Sequence, residues 1–219
     1  MKCNRKIFQM TVMLVILAFL AISSTVFSFE IKPLKRDKIS PKCQSVIFGR
    51  LRVLSAIPNF RPLANEFVFS LFNEDNQSRD LRIVFKSKYI VKPEDGVRGY
   101  DVPFYAEVEA GDYSFRRYKY TFSNVNLGDL SLNGGGYLYG INGGMWNSCS
   151  IPAERLIYLG VIAIQYNEII VTPDNNLKVD ADFNISFDDY ETDLSNFQKT
   201  YPKLYERFED TVMEADWSF

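Results

Sequence analysis

The 219-residue chain predicts an all-β fold, an antiparallel β-sandwich carrying one short C-terminal helix. Short runs rich in β-branched and aromatic residues recur with turn chemistry between them, as where NEDNQSRD separates Glu66 to Phe72 from Leu81 to Phe85. Strict alternation marks Tyr100 to Glu109, with Tyr100, Val102, Phe104, Ala106 and Val108 set against Asp101, Tyr105, Glu107 and Glu109. Helical periodicity is confined to the segment after Phe187, where Tyr190, Leu194, Phe197 and Tyr201 share one face.

Lys2, Arg5 and Lys6 precede the apolar run Val12 to Ile22, which is short for a bilayer span and has the layout of a secretory signal. Small residues at Ser23, or at Val26 and Ser28, suit cleavage, so residues 1–28 read as a signal peptide. Uncleaved, residues 7–28 would anchor the chain in a membrane, the one membrane contact expected. Residues 29–44 form a polar leader with Pro33 and Pro41 and a solvated basic cluster, Lys35, Arg36 and Lys38. The sandwich domain is expected over 45–187, and the helix and tail over 188–219.

Ser45 to Ser55 opens the domain as a strand, with alternation at Leu51 and Val53, before a loop holding Pro58 and Pro62. After Leu81 to Phe85, Tyr89 to Val91 extends the third strand. Pro103 gives the Tyr100 to Glu109 strand an edge position or a bulge. A tight Gly111-Asp112 turn then leads into Tyr113 to Phe122. There the apolar parity shifts from Tyr113 and Phe115 to Tyr118, Tyr120 and Phe122, which calls for a β-bulge near Arg116 and Arg117. Two Asn-Gly pairs, Asn133-Gly134 and Asn142-Gly143, make Gly128 to Ser150 a short meander. Leu156 to Tyr166 is almost wholly apolar, as in the middle of a sheet. Glu168 to Thr172 and Leu177 to Phe187 close the β region. Asp188 is the expected N-cap of the helix, with Glu191 at capping-box spacing, and Pro202 ends it.

The chain has no histidine, which excludes His-activated nucleophiles and the common His-containing zinc and iron sites. Carboxylate, Ser–Lys and calcium chemistry remain. Cleavage after Ser28 leaves a net charge of about −5, without the basic excess that nucleic-acid binding needs. Cys43 and Cys149 form an even pair in a chain bound for an oxidising compartment, so a disulfide between them is expected.

In VDADFNISFDDYE, residues Asp180, Asp182, Asn184, Ser186, Asp188 and Glu191 fall at calcium-loop spacing. The same stretch alternates as a half-buried strand. Ile185 stands where such a loop needs a glycine turn, the preceding residues are turn-rich and β-branched, and Glu191 serves the helix; the strand is therefore preferred. Glu107 and Glu109, with Asp101 farther along, make paired-carboxylate hydrolysis conceivable, although Glu107 opposite Arg116 across the Gly111 turn is a simpler ion pair. The Asn133 to Gly144 run lacks the lysine and the helix of a phosphate cradle. Tyr137, Tyr139, Met145 and Trp146 form a candidate binding patch. Asn76-Gln-Ser78 and Asn184-Ile-Ser186 match glycosylation sequons.

AGDYSF (110–115), YLGVIAIQY (158–166) and DDYETDLSNFQKTYP (188–202) together resemble a group of exported bacterial β-sandwich proteins, many of them lipoproteins. Glu109-Ala110 departs from that group's Pro-Pro before Gly111, and the lipidation cysteine is absent. The resemblance implies an Ig/transthyretin-like sandwich of the carboxypeptidase-regulatory type and carries over no catalytic residue. The expected function is thus a non-catalytic exported binding or envelope-assembly module, periplasmic or extracellular, without a cofactor and partnered by an envelope protein or glycan. The alternative is a carboxylate- or calcium-dependent secreted hydrolase.

Overall fold

The computed structural model describes residues 31–41, 43–56, 66–73, 77–84, 86–93, 96–127, 130–141, 147–171 and 177–218. Its strands are β1 (Ile31–Pro33), β2 (Ser45–Ser55), β3 (Glu66–Asn73), β4 (Ser78–Val84), β5 (Ile90–Val91), β6 (Arg98–Val108), β7 (Gly111–Leu127), β8 (Leu130–Ile141), β9 (Asn147–Ile151), β10 (Leu156–Val171), β11 (Leu177–Ser186), β12 (Val212–Glu214) and β13 (Trp217–Ser218). The helices are α1 (Tyr190–Thr200) and α2 (Pro202–Phe208). Seven strands form one sheet in the order β1-β6-β2-β10-β11, with β5 beside β6 and β12 beside β10. Six form the other, β13-β9-β7-β3-β4, with β8 beside β7.

The apolar β10 lies between β2 and β11, in the sheet interior its composition requires. The parity shift in β7 is resolved by a bulge: Ser70 faces Arg117 and Leu71 faces Phe115, so Arg116 is passed over. Strand β2 serves both faces of its sheet. Ile47, Leu51 and Val53 join a core that also draws Leu71 and Leu81, Tyr113 and Ile151 from the six-stranded sheet. Val46 and Phe48 point the other way and meet Phe197, Leu204 and Phe208 of the helices.

Four expectations are corrected. The sheets are not wholly antiparallel, because β10 runs parallel to β2 and to β12. No hairpin turn fixes the direction of these non-consecutive strands, and Val46 N donating to Arg155 O (2.9 Å) sets the starts of β2 and β10 side by side. The Gly111 turn makes no hairpin either: β6 and β7 belong to different sheets, so Glu107 and Arg116 do not face each other across a ladder as expected. Tyr113 Oη donates to Glu109 O (2.7 Å) and braces this corner. Asn133-Gly134 is not a turn but part of β8, with Asn133 facing Asn124. Both β8 and β9 pair with β7, β8 over 117–127 and β9 over 111–115, so they lie end to end along one strand and do not pair with each other as a meander would. Asn142-Gly143 lies outside the described residues. There are two C-terminal helices, not one: Pro202 ends α1 and opens α2, where its missing N–H costs no hydrogen bond.

The leader is built in as well. Ile31–Pro33 pairs with 106–108 of β6, and Leu34 is buried beneath the helices. The tail reaches both sheets through β12 on β10 and β13 on β9. Between Tyr158 and Val161 the ladder to β2 skips, and Gly160 there has φ +85°. A Cβ on it would lie 2.6 Å from Ser186 O, so glycine is required by backbone and space alike.

Candidate functional site

Two assemblies of polar side chains flank the helices. The first fastens α1 to the seven-stranded sheet. Alternation puts Arg50 and Arg52 of β2 on the helix-facing side, with Asp101 of β6 opposite Arg52. Arg52 Nη2 donates to Asp101 (2.8 Å) and to Asp189 (3.1 Å), and Arg50 Nη1 donates to Asp101 (3.2 Å). Arg50 also grips Asp193 through Nε (3.1 Å) and Nη2, and Tyr158 Oη donates to the same carboxylate (3.0 Å). Asp193 is 2% exposed. Burial works against the Arg50 charge, but the hydrogen bond it donates to Asp193 and the charges of Asp101 and Asp193 outweigh it and raise its pKa. Burial, then Asp193, keeps the Tyr158 phenol protonated far above its ordinary range. The residue before α1 is Asp189, not Asp188, and its side chain makes no capping bond; its carboxylate turns sideways to Arg52. The network is a clamp, since each of its acids is matched by a cation.

The second assembly is a strap, residues 34–41, laid over the end of β6. Leu34 N donates to Tyr105 O (2.9 Å), and Tyr201 Oη donates to Leu34 O (3.0 Å). Asp37 accepts from Lys203 N and Leu204 N, both at 2.9 Å, and so caps α2. Ser40 N donates to Glu107 Oε2 (2.5 Å), and Cys43 N to Ser40 O (3.2 Å). A groove of about 650 Å³ opens between strap and sheet. Pro33, Leu34, Ile39 and Pro41 give it apolar walls; Lys32, Lys35, Arg36 and Lys38 bring positive charge, and Ser40 and Glu107 also line it. Glu107 is 9% exposed. Burial, then Asp193 and Tyr201, pushes the neighbouring Tyr105 phenol up to about 12.

The predicted site residues are scattered differently. Tyr137 and Tyr139 belong to β8, opposite Thr121 and Lys119, while Met145 and Trp146 lie outside the described residues. Asp180, Asp182 and Asn184 occupy the exposed positions of β11, and Ala181, Phe183 and Ile185 pack on the core from its other face. Ladder pairing of β11 with β10 through Ser186 gives this stretch a strand where a calcium loop would have to coil. Cys43 and Cys149 are both buried, and no disulfide joins them in this structure. Both lie near the Tyr113 ring, whose phenol is raised mainly by burial, with Glu109 and the two cysteines adding to it. The groove and the clamp were not anticipated as sites. The only signals were Arg50 and Arg52 within an apolar strand and the basic residues of the leader. A scan of family models and searches of curated proteins and of solved structures each found no match.

Proposed function

We propose that the chain is an exported, non-catalytic binding module on an Ig/transthyretin-like β-sandwich, with its ligand seated in the groove beneath the strap. The observation that carries this reading is the fastening of the strap. Hydrogen bonds to Tyr105, Tyr201, Lys203, Leu204 and Glu107 hold one wall of the groove in place before any ligand arrives. Preorganised walls reduce the entropic cost of binding, and about 650 Å³ is within the usual range of small-molecule sites. The acids a hydrolase would draw on have structural work: Asp101 and Asp193 face arginines, and Glu107 receives the Ser40 amide. Export through a signal peptide over 1–28 and a Cys43–Cys149 bridge belong to the same proposal; the bridge would secure the far end of the strap. Tyr137, Tyr139, Met145 and Trp146 are proposed as a contact surface for an envelope protein or glycan.

Native mass spectrometry after incubation with an envelope extract tests the reading. Wild type should carry an added small-molecule mass that Glu107→Gln and Lys38→Glu lose at unchanged unfolding midpoint. Wild type without any added mass would contradict it.

A further inference from the structure

We infer that the groove recognises a compact zwitterion, a primary ammonium joined to a phosphate group, with the ammonium directed to Glu107 and the phosphate to Lys35, Arg36 and Lys38. This rests on the groove being a binding site, and adds what chemistry it selects. Glu107 is a nine-tenths buried carboxylate with one oxygen held by the Ser40 amide. Among the described residues no cation pairs with it, although lysines and an arginine line the same groove. An isolated buried charge is costly unless it is compensated. Beside it the Ser40 hydroxyl is buried without a hydrogen-bond partner among the described residues, which leaves an unmet polar group on the groove lining.

The two charges of the ligand follow from how the groove's own charges are placed. Lys35, Arg36 and Lys38 lie at or next to the exposed rim, and none is in an ion pair among the described residues. Asp37, the acid between them in sequence, is occupied in capping α2. A simple anion would meet the rim and leave Glu107 uncompensated. A simple cation would be repelled at the rim before reaching Glu107. A molecule with an ammonium a few bonds from a phosphate satisfies both ends, and the Ser40 hydroxyl can donate to one or accept from the other. Either a free phosphomonoester or a lipid headgroup can supply this chemistry.

Titrations followed by amide chemical shifts, using O-phosphoethanolamine, phosphocholine and inorganic phosphate, test the inference on the full chain. Phosphoethanolamine should move the amides of residues 34–41 and bind at least tenfold tighter than phosphocholine, whose quaternary nitrogen cannot donate to Glu107. In Glu107→Gln the amide oxygen still accepts from Ser40 N, so the strap stays fastened while the tenfold preference disappears. Equal binding of all three compounds, unaffected by Glu107→Gln, would overturn the zwitterion and leave an anion-binding groove. Absence of shifts with any of them would overturn it too, and the retained-mass experiment then judges the groove separately. Co-sedimentation with vesicles of phosphatidylcholine and phosphatidylethanolamine at 3:1, against phosphatidylcholine alone, distinguishes the sources. A phosphatidylethanolamine-dependent pellet identifies a headgroup, and soluble binding without it a free phosphomonoester.

Discussion

Replacing Asp193 by Ala should loosen α1 from the sheet. The carboxylate is 2% exposed and takes Arg50 Nε at 3.1 Å, Arg50 Nη2 and Tyr158 Oη at 3.0 Å. Its removal leaves a guanidinium that is only 16% exposed with a single remaining acid, Asp101 at 3.2 Å. Breaking a buried pair from one side costs roughly 3–5 kcal/mol. Because Asp101 stays in place, the lower end applies, about 3 kcal/mol. At roughly 2–4 °C per kcal/mol for a domain of this size, Tm should fall by roughly 6–12 °C. Asp193→Asn retains an acceptor for Tyr158 and should cost about 2 kcal/mol, the weight of a hydrogen bond to a charged group. The joint replacement Arg50→Met with Asp193→Leu should recover most of the loss, since apolar side chains of similar volume need no compensation. Urea unfolding followed by circular dichroism measures all three. Asp193→Ala within about 0.5 kcal/mol of wild type would refute the clamp, because that is the scatter of ordinary surface substitutions.

Gly160→Ala should cost about 1–3 kcal/mol, because its Cβ would sit 2.6 Å from Ser186 O at φ +85°. Gly96→Ala shares that φ but meets no atom of the described residues within 4 Å, and should show only the backbone cost, about 1 kcal/mol, in the same denaturant series. Alkaline stability should decline from pH 9 to pH 12 under reducing conditions. Burial, then Asp112, holds the Cys149 thiol up at about 12 against an ordinary 9.0, and Tyr105 stands at about 12 against 10.0. The folded state thus keeps protons that the unfolded chain releases, and stability present below pH 9 is lost as pH climbs through that window. Cys149→Ala should flatten the decline, whereas a midpoint rising with pH would contradict the burial. Millimolar calcium should leave Tm unchanged, since Asp180 and Asp182 lie on the exposed face of β11; a rise that vanishes in Asp180→Asn would revive the calcium loop.

Where a residue's neighbours are close in sequence, the chain was legible. The bulge at Arg116 followed from a parity break in one strand, and the helix face Tyr190, Leu194, Phe197 and Tyr201 from its own spacing. What failed depended on partners far along the chain. Asn133-Gly134 has strong turn chemistry, but a 17-residue β7 offered partners on both sides of it, Asn124 to Asn133 and Phe122 to Gly136 across a register shift, and pairing with β7 prevailed over the local preference. The parallel approach of β10 to β2 has no local signature, because no short connection enforces it. The strap read as a solvated leader because its anchors, Tyr201, Lys203 and Glu107, stand 67 to 167 residues away. Arg50 within an apolar strand was the visible hint of the clamp, yet Asp193, its buried partner, looked like an ordinary acid in the first turn of a helix.

Binding beneath the strap is tested most directly by hydrogen exchange on the purified protein, with and without envelope extract. The amides of residues 34–41 should exchange more slowly when extract is present, and Glu107→Gln should remove that added protection while leaving basal exchange unchanged. Unchanged exchange in the strap of wild type, or protection that persists in full in Glu107→Gln, would contradict a ligand seated against Glu107.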